Sequence, residues 1–289
     1  MANERFMEGS IASFSKDMKR LVNQREFSDV KFLVGESKKP IFAHRCLLAY
    51  RCEVFRAMFA DHSHSDICTP LVLTDVDPDV FLAVLEFLYT NCVTLNVKTA
   101  VDLLAASIEY GLDELKHLCI KFLVENINLQ NACESMQAAV TYGQSDLQLK
   151  AISYIEDNTE NVFKTQGFLE MSESAIIEIL KSNRLLMDEL NILQAVKEWA
   201  KINSAVLSKS AELIAKNVVQ HIRLSLLSPD ELTELEQNND KNNFIPVSKM
   251  AFAWKFHALH QSVTGDEQTR LRRGTRSREC HQGLKKWDA

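Results

Sequence analysis

The fold of this chain can be read from residues 27–59, which run FSDVKFLVGESKKPIFAHRCLLAYRCEVFRAMF. Apolar side chains first alternate at Val30, Phe32 and Val34, which is the pattern of a half-buried strand. A polar break at Gly35 and a second short apolar run then complete a predicted β-hairpin. Beyond the hairpin the apolar residues recur at helical spacing: Leu47, Leu48, Val54, Phe55, Met58 and Phe59. The stretch therefore predicts a hairpin followed by one or two short helices.

The order of residues in this stretch resembles the signature of BTB/POZ domains, in which D-V, F-x-A-H-[KR], L-A and F-x-x-M-F occur at this spacing. The matching residues are Asp29-Val30, Phe42-Ala-His44-Arg45, Leu47-Leu-Ala49, Phe55 and Met58-Phe59. Later segments resemble the rest of that domain in the same order: 71–77, Phe81, 85–90, 103–110 and 113–123. The resemblance implies an α/β BTB/POZ domain, a small mixed sheet with helices, over residues 25–125.

After Asn126 the pattern becomes purely helical and resembles the BACK domain that follows BTB in Kelch-like and related adaptor proteins. The matching residues include Asn131-Ala-Cys133, Tyr142-Gly143, Phe163, Phe168-Leu169, Ile179-Leu180, Trp199 and the run from Ile222 to Leu232. The resemblance implies an all-α BACK domain over residues 126–235 and a chain that is predominantly helical. Kelch-like adaptors carry propeller blades after BACK, but no repeat of the required period follows here.

Residues 1–24 are predicted to contain an amphipathic helix, from about Phe6 to Asn23. Its apolar residues form one stripe: Met7, Ile11, Phe14, Met18 and Leu21. A partner surface must cover such a stripe, because a buried apolar side chain contributes about 1.5–3 kcal/mol only when it leaves water. In BTB domains with this helix, it packs on the second subunit of a homodimer, so the resemblance implies that Met7, Ile11, Phe14 and Met18 are interface residues. Packing on the chain's own BTB fold is the alternative.

Two charged residues join the predicted dimer interface. In BTB domains similar to this one, the residues equivalent to Asp29 and Arg45 line a charged pocket near the interface. A carboxylate buried there requires a cation, since removing one partner of a buried pair costs about 3–5 kcal/mol. Asp29→Ala is therefore expected to be strongly destabilising. His44 is predicted to be a structural residue that forms hydrogen bonds within the fold, and not a catalytic one.

The loop after the M-F helix bears on a candidate partner, cullin-3. Many BTB-BACK proteins bind cullin-3 through a hydrophobic-x-Glu motif in this loop and then present clients for ubiquitination. Here the candidate cullin-facing residues are Ser63, His64, Ser65 and Asp66, so serine stands at both the hydrophobic and the Glu position. Two hypotheses remain open: a homodimeric cullin-3 substrate adaptor with an unknown client protein, and a cullin-independent BTB scaffold.

The C-terminal part is predicted to contain a linker and a last helix within residues 236–265, followed by a basic disordered tail at 266–289. The acidic, Asn-rich stretch from Glu234 to Asn243 is interpreted as the linker, and Pro246 to Gln261 as a helix. That helix either docks on the BACK bundle or exposes its aromatic residues to a partner. The tail has five Arg and two Lys against four acidic residues, which favours a solvated segment; a nuclear-import or nucleic-acid patch is the less favoured alternative.

Composition and cysteine usage narrow the remaining functions. The seven cysteines form no C-x-x-C pair and are interpreted as free thiols in a reducing compartment, cytoplasmic, nuclear or both. The start of the chain lacks a signal peptide pattern, and no apolar run is long enough to span a membrane. His62, His64 and Cys68 lack a second pair at zinc-finger spacing, so no metal site and no cofactor are predicted. Catalytic motifs are absent as well, so the function is expected to lie in protein surfaces and not in enzymatic activity.

Overall fold

The structure is a computed structural model that describes residues 9–61, 69–239, 243–259, 267–281 and 284. The chain divides into two units, Met1–Asn126 and Ile127–Ala289. The first unit contains a sheet with helices, and the described part of the second contains helices only. The fold is therefore an α/β unit followed by a helical one, as the sequence predicted.

A three-stranded mixed sheet forms the first unit's frame. Its strands are β1 (Val30–Val34), β2 (Lys39–Ala43) and β3 (Leu71–Leu73), in the order β2-β1-β3. β1 pairs antiparallel with β2 and parallel with β3. The predicted alternation is confirmed, because Val30, Phe32 and Val34 are fully buried. Gly35 begins the hairpin turn with φ +72°, and a Cβ there would lie 3.0 Å from Pro78 Cδ, so both backbone and space favour glycine.

Six helices of the first unit are described. They are α1 (Ile11–Lys19), α2 (Arg45–Arg51), α3 (Glu53–Asp61), α4 (Pro78–Thr90), α5 (Ala100–Glu109) and α6 (Asp113–Glu125). α4 begins with two signals typical of a helix start: Asp77 accepts hydrogen bonds from the N–H groups of Asp79 and Val80, and Pro78 occupies the first turn. The core beneath the sheet is aromatic, with Phe32 and Phe81 ring centres 5.1 Å apart and Phe55 and Tyr110 stacked at 5.0 Å.

The N-terminal helix is shorter than the sequence predicted. Within the described residues α1 starts after Ser10, whose side chain caps the N–H of Ser13, and ends at Lys19. The chain does not continue as a helix to Asn23, because Asn23 takes a left-handed conformation (φ 54°) and its Oδ1 accepts a hydrogen bond from Phe42 N at 3.1 Å. Residues 6–8 of the predicted helix lie outside the described residues.

The second unit is a helical bundle. Its described α-helices are α7 (Ala132–Tyr142), α8 (Ser145–Asp157), α9 (Thr159–Val162), α10 (Gln166–Leu169), α11 (Glu173–Lys181), α12 (Glu189–Leu207), α13 (Ala211–Ala215), α14 (Pro229–Asn239) and α15 (Val247–Leu259). Short 3-10 helices accompany them: Val218–His221, Leu224–Leu226, Glu267–Thr269 and Glu279–His281. Trp199 lies in the core and donates its indole N–H to Met171 O at 2.9 Å, which satisfies the only polar atom of a buried side chain.

The region after residue 235, where the predicted BACK domain ends, differs in part from the prediction. The last predicted helix is present as α15 and docks on the bundle, since Met250 and Ala253 belong to the buried core. The predicted linker is helical up to Asn239, because α14 carries Leu232 and Leu235 into the same core. An acidic, Asn-rich composition concealed these two apolar anchors, and residues 240–242 lie outside the described residues.

The described part of the basic tail is folded, which corrects the expectation of a disordered segment over residues 266–289. Residues 267–281, which we call the C-terminal segment, lie against the helical unit, and Arg272 is 1% exposed. The prediction failed because low hydrophobicity normally indicates disorder. Here, instead, the arginines of the tail pair with carboxylates of the bundle.

Candidate interaction surfaces

The described part of the predicted dimer stripe is open on the single chain. Ile11 and Phe14 are 67% and 63% exposed, Met18 is half-buried, and no residue of α1 is fully buried. Met7 lies outside the described residues. We call the side chains of Ile11, Phe14 and Met18 the α1 surface. Two large apolar groups left in water on one short helix form a surface that association with a partner would stabilise.

The rest of the unit holds α1 in place through polar contacts. Ser15 Oγ donates to Thr90 O at 3.0 Å, and Lys19 Nζ lies 2.6 Å from Glu86 Oε1; both partners belong to α4. Thr90 Oγ1 in turn donates to Glu86 O, one turn earlier in α4. The contacts to α4 leave Ile11 and Phe14 uncovered, so packing within the single chain does not account for the whole stripe.

Asp29 and Arg45 meet through the backbone of Arg45. Asp29 Oδ1 accepts a hydrogen bond from Arg45 N at 2.7 Å, which places a carboxylate at the first N–H of α2. Negative charge at a helix N-terminus is favourable, because the terminal N–H groups lack partners within the helix. Asp29 is exposed in the single chain. The burial that the resemblance implied is thus not a property of the isolated subunit, and its place in a dimer interface stays a prediction.

The guanidinium group of Arg45 lies over α3. Its Nη2 donates to Phe59 O at 3.1 Å, and its central carbon is 4.7 Å from the centre of the Phe59 ring. These contacts place a cation at the C-terminal end of α3, where the helix dipole favours positive charge. Arg45 therefore joins the start of α2 to the end of α3.

His44 has the structural role that the sequence predicted. Its backbone N–H and its Nδ1 both lie 2.9 Å from the hydroxyl oxygen of Tyr89. Tyr89 is buried, and burial raises the pKa of its hydroxyl group far above the ordinary value. The hydroxyl therefore remains protonated and keeps the His44 end of α2 attached to α4.

The candidate cullin-facing loop is Ser63, His64, Ser65 and Asp66, and all four lie outside the described residues. The described part nearby is α3, whose Phe55 and Phe59 rings stack 6.1 Å apart and pack on Phe32. The structure therefore describes the helix that precedes these residues in the sequence, and their role stays a prediction.

Three exposed apolar side chains of the first unit were not singled out in the sequence. Tyr50 is 94% exposed, Phe27 is 83% exposed and Val72 on β3 is 53% exposed. Phe27 also has a φ of 63°, which is uncommon for a bulky residue. Periodicity did not reveal them, because isolated apolar residues at a surface carry no pattern. A positive φ in particular has no signal in a single sequence.

The part of the chain that the structure describes contains no candidate metal site, and two of its buried cysteines are unreactive. No cluster of three His, Cys, Asp or Glu side chains occurs among those residues. Burial raises the pKa of Cys119 to about 12 and that of Cys133 to about 11, so both thiols stay protonated and inert at neutral pH. His62, His64 and Cys68 of the rejected metal alternative lie outside the described residues. Among the described helices, none combines the length and the apolar character that crossing a bilayer requires.

A cluster of buried ion pairs joins the C-terminal segment to the helical unit. Arg272 Nε lies 2.6 Å from Glu189 Oε1, and neither side chain is exposed. Arg278 pairs with Asp188 and Glu231 at 2.9 and 2.6 Å. Burial alone would raise the pKa of Asp188, but the hydrogen bonds from Arg278 and from the N–H groups of Arg276 and Leu190 outweigh it and lower that pKa. The sequence alone did not reveal this site, because buried ion pairs produce no periodic pattern of apolar residues.

Comparison with known proteins identifies both units. The model of the BTB/POZ domain matches residues 18–127, and that of "BTB And C-terminal Kelch", the BACK domain, matches residues 132–237. BTB/POZ domain-containing protein 19 of Bos taurus is 44% identical over 279 residues, which cover 96% of each chain. Kelch-like protein 1 of Mus musculus is 28% identical over 87% of this chain and 33% of its own length.

A solved structure is also similar to part of this chain. The BTB domain of zebrafish PATZ1 covers 42% of this chain and 100% of its own, with 22% identity and a TM-score of 0.33. The family assignment rests on the two domain models and on the 44% identical relative. BTB and BACK domains are typical of protein-interaction adaptors, which are usually not enzymes. The chain belongs to the family of BTB-BACK proteins.

Proposed function

We propose that the protein is a homodimeric protein–protein interaction adaptor without enzymatic activity. In this proposal the BTB domain forms the dimer, and the BACK domain carries a binding surface for a client protein. The observation that carries the proposal is the α1 surface, whose Ile11 and Phe14 remain exposed while the same helix is fixed to α4. The working compartment proposed for this adaptor is the cytoplasm, the nucleus or both.

Self-association supplies the cover that the α1 surface lacks. In a two-fold dimer the same surface of both copies lies in the interface. Each residue of the α1 surface is therefore buried in both copies and contributes twice. Burial of a Phe or Ile side chain contributes about 1.5–3 kcal/mol. Asp29 and Arg45 extend the proposed interface. Asp29 would then have two roles: it accepts the N–H of Arg45 at the start of α2, and it is buried where the two copies meet.

Cullin-3 is the proposed partner that would make the adaptor part of a ubiquitin ligase. The support is the BTB-BACK architecture, which is shared with Kelch-like protein 1. A specific sequence feature favours a second candidate function, a cullin-independent scaffold. Ser63 and Ser65 replace an apolar anchor and a Glu, and these losses would lower affinity by several kcal/mol, or 10²-fold and more.

A role in nucleic-acid binding receives less support than either. Phosphate contacts need basic side chains that are accessible. In the described C-terminal segment, Arg272 is buried against Glu189 and Arg278 against Asp188. Two of the tail's arginines are therefore already engaged with carboxylates.

Calorimetry with the N-terminal domain of cullin-3 separates the two main proposals when the mass of the same sample is measured by light scattering. A dimer that binds with sub-micromolar affinity supports the ubiquitin-ligase adaptor. A dimer that does not bind supports the scaffold, and a restored motif, Ser63→Leu with Ser65→Glu, is then expected to create binding. A monomer of 32.9 kDa would contradict the homodimer itself.

A further inference from the structure

We propose that the helical unit contains a recognition site for a peptide with the pattern R-x-G-x-x-x-R, and that the chain's own C-terminal segment occupies this site as an intramolecular ligand. The three positions are Arg272, Gly274 and Arg278. The partner is thus a protein segment with two arginines six residues apart and a glycine two residues after the first. This proposal extends the proposed adaptor function. Only the role of the partner as a client protein rests on that function; the binding site itself does not.

The first pocket is built for a guanidinium group. Arg272 Nε donates to Glu189 Oε1 at 2.6 Å, Nη1 donates to Leu180 O at 2.7 Å and also to Ser182 O, and Nη2 donates to His221 O at 2.9 Å. Every one of these acceptors belongs to the bundle and none to the segment itself. Arginine is the side chain that fits, because its planar fork presents several donors in fixed directions, whereas a lysine ammonium is a single point charge.

The second pocket binds Arg278 between two carboxylates. Nη1 and Nη2 donate to the two oxygens of Asp188, both at 2.9 Å, while Nε and Nη2 donate to the two oxygens of Glu231 at 2.6 and 3.0 Å. Bidentate pairing with carboxylates gives directional specificity as well as energy. These contacts raise the pKa of Arg278 above its ordinary value, although burial opposes the rise.

Main-chain contacts set the register between the two pockets. The N–H groups of Arg273 and Gly274 donate to Asn183 O and Leu185 O, both at 2.9 Å. At Gly274 the two backbones approach so closely that a Cβ would overlap the backbone nitrogen of Met187. Only glycine fits such an approach without a shift of the backbone. The site therefore reads arginine, glycine and arginine at fixed spacing.

The segment has the character of a ligand because it contributes little to the hydrophobic core. The buried residues of the helical unit's core cluster lie between Ala132 and Ala253, and none belongs to the described C-terminal segment. Polar and ionic contacts hold the segment instead. Directional contacts of this kind give specificity, whereas the core that stabilises the bundle is formed upstream of it.

The test releases the segment from its covalent connection and then asks whether a peptide can replace it. In the full chain, residues 260–266 are replaced by a protease recognition sequence of equal length, and the protein is cut there. A fluorescent synthetic peptide of residues 267–281 is added, and its binding is followed by anisotropy while circular dichroism monitors folding. Matched peptides carry Arg272→Gln, Gly274→Ala or, as a control at an exposed position, Ser277→Ala.

We expect the wild-type and Ser277→Ala peptides to enter the cut, folded protein with equal affinity, and the Arg272→Gln and Gly274→Ala peptides to bind at least 100-fold more weakly. A peptide that keeps only Arg272, Gly274 and Arg278, with serine at every other position, is expected to bind with similar affinity. The proposal is overturned if the bundle unfolds when the fragment leaves, if the fragment never exchanges, or if all the peptides bind alike. Oligomeric mass is measured separately, so loss of the dimer does not affect this result.

Discussion

The two ends of this chain present opposite solutions to the problem of a segment that cannot be stable alone. α1 is fixed to its own unit by Ser15 and Lys19, yet leaves Ile11 and Phe14 in water. The C-terminal segment leaves mostly polar groups at the surface but buries the guanidinium group of Arg272 against Glu189. The N-terminal helix exposes apolar side chains, which are normally buried, and the C-terminal segment buries a charged side chain, which is normally exposed.

The two segments differ in the kind of surface that can stabilise them. An exposed apolar stripe is stabilised by any surface that excludes water, so it is suited to association with another copy. A buried charge is stable only where a matching charge and further hydrogen bonds are already in place. The C-terminal segment accordingly depends on one specific site in its own chain. Four changes to the protein or its solvent test this contrast, from the largest expected effect to the smallest.

Loss of the buried carboxylate should have the largest effect. Glu189→Ala leaves Arg272 charged and unpaired in the interior, which is expected to cost about 3–5 kcal/mol of the helical unit's stability. Chemical denaturation followed by tryptophan fluorescence measures it, because all three tryptophans, Trp199, Trp254 and Trp287, belong to the second unit. The matched control is Glu178→Ala, which breaks a partly exposed pair with Lys181 and should cost below about 1 kcal/mol. Equal losses for the two variants would contradict burial of the pair.

Loss of one apolar anchor should weaken the proposed dimer and leave the subunit intact. Phe14→Ser removes a side chain that is 63% exposed in the single chain. Because the side chain is lost from both copies of the dimer, the dissociation constant is expected to rise about 100-fold, which corresponds to about 2.8 kcal/mol of lost burial. Light scattering over a dilution series measures the change. Leu149→Ser, at a 68% exposed position of the other unit, is the control and should leave the mass unchanged.

Removal of Asp29 distinguishes a helix-capping role from a buried interface charge. In the isolated subunit, Asp29→Ala loses the acceptor of Arg45 N and should cost about 1 kcal/mol. Asp29→Asn keeps an acceptor oxygen and should recover most of that loss. Thermal unfolding measured at protein concentrations below and above the dissociation constant of the dimer separates the two roles. A loss of several kcal/mol that appears only in the dimer would place the carboxylate in the interface, as the family resemblance implies.

Acidification should loosen the C-terminal segment by a smaller amount than removal of Glu189. The pKa values of Asp188 and Glu231 are lowered, because the contacts from Arg278 outweigh the effect of burial. Groups with a lowered pKa in the folded state stabilise it above their ordinary pKa values, near 4, and this contribution is lost as the pH falls through the lowered values. Limited proteolysis at residues 267–281 should therefore accelerate below about pH 4 in the wild type. In Arg278→Gln, cleavage should already be fast at neutral pH and should change little with pH.

The sequence predicted much of this structure where apolar periodicity was strong. The hairpin of β1 and β2 follows from the alternation of buried residues such as Phe32. The mixed sheet and its helices were implied by the family resemblance, and of the two alternatives for the last helix the structure shows docking, with Met250 in the core. The stripe on α1 was also visible, although its cover was not, because a pattern shows that a face is apolar and not what it contacts. Resemblance to a family supplied the dimer hypothesis.

The C-terminal segment could not be predicted in the same way. Arg272, Gly274 and Arg278 lie in a polar, basic run whose composition is typical of disorder. Their partners, Glu189, Asp188 and Glu231, are more than 40 residues away along the chain, and any carboxylate on a helix surface has the same appearance in a sequence. Only the folded bundle brings these charges together. Buried polar sites of this kind are therefore the features that sequence patterns miss.

Hydrogen–deuterium exchange at two protein concentrations tests the contrast between the two ends most directly. The two concentrations lie above the dissociation constant of the dimer and far below it. We predict that amide protection in residues 11–19 is lower at the lower concentration, because another copy then no longer covers the α1 surface. Protection in residues 267–281 is predicted to stay constant, because the chain's own bundle holds that segment. Protection of α1 that does not change with concentration, or protection of 267–281 that does, would contradict the account.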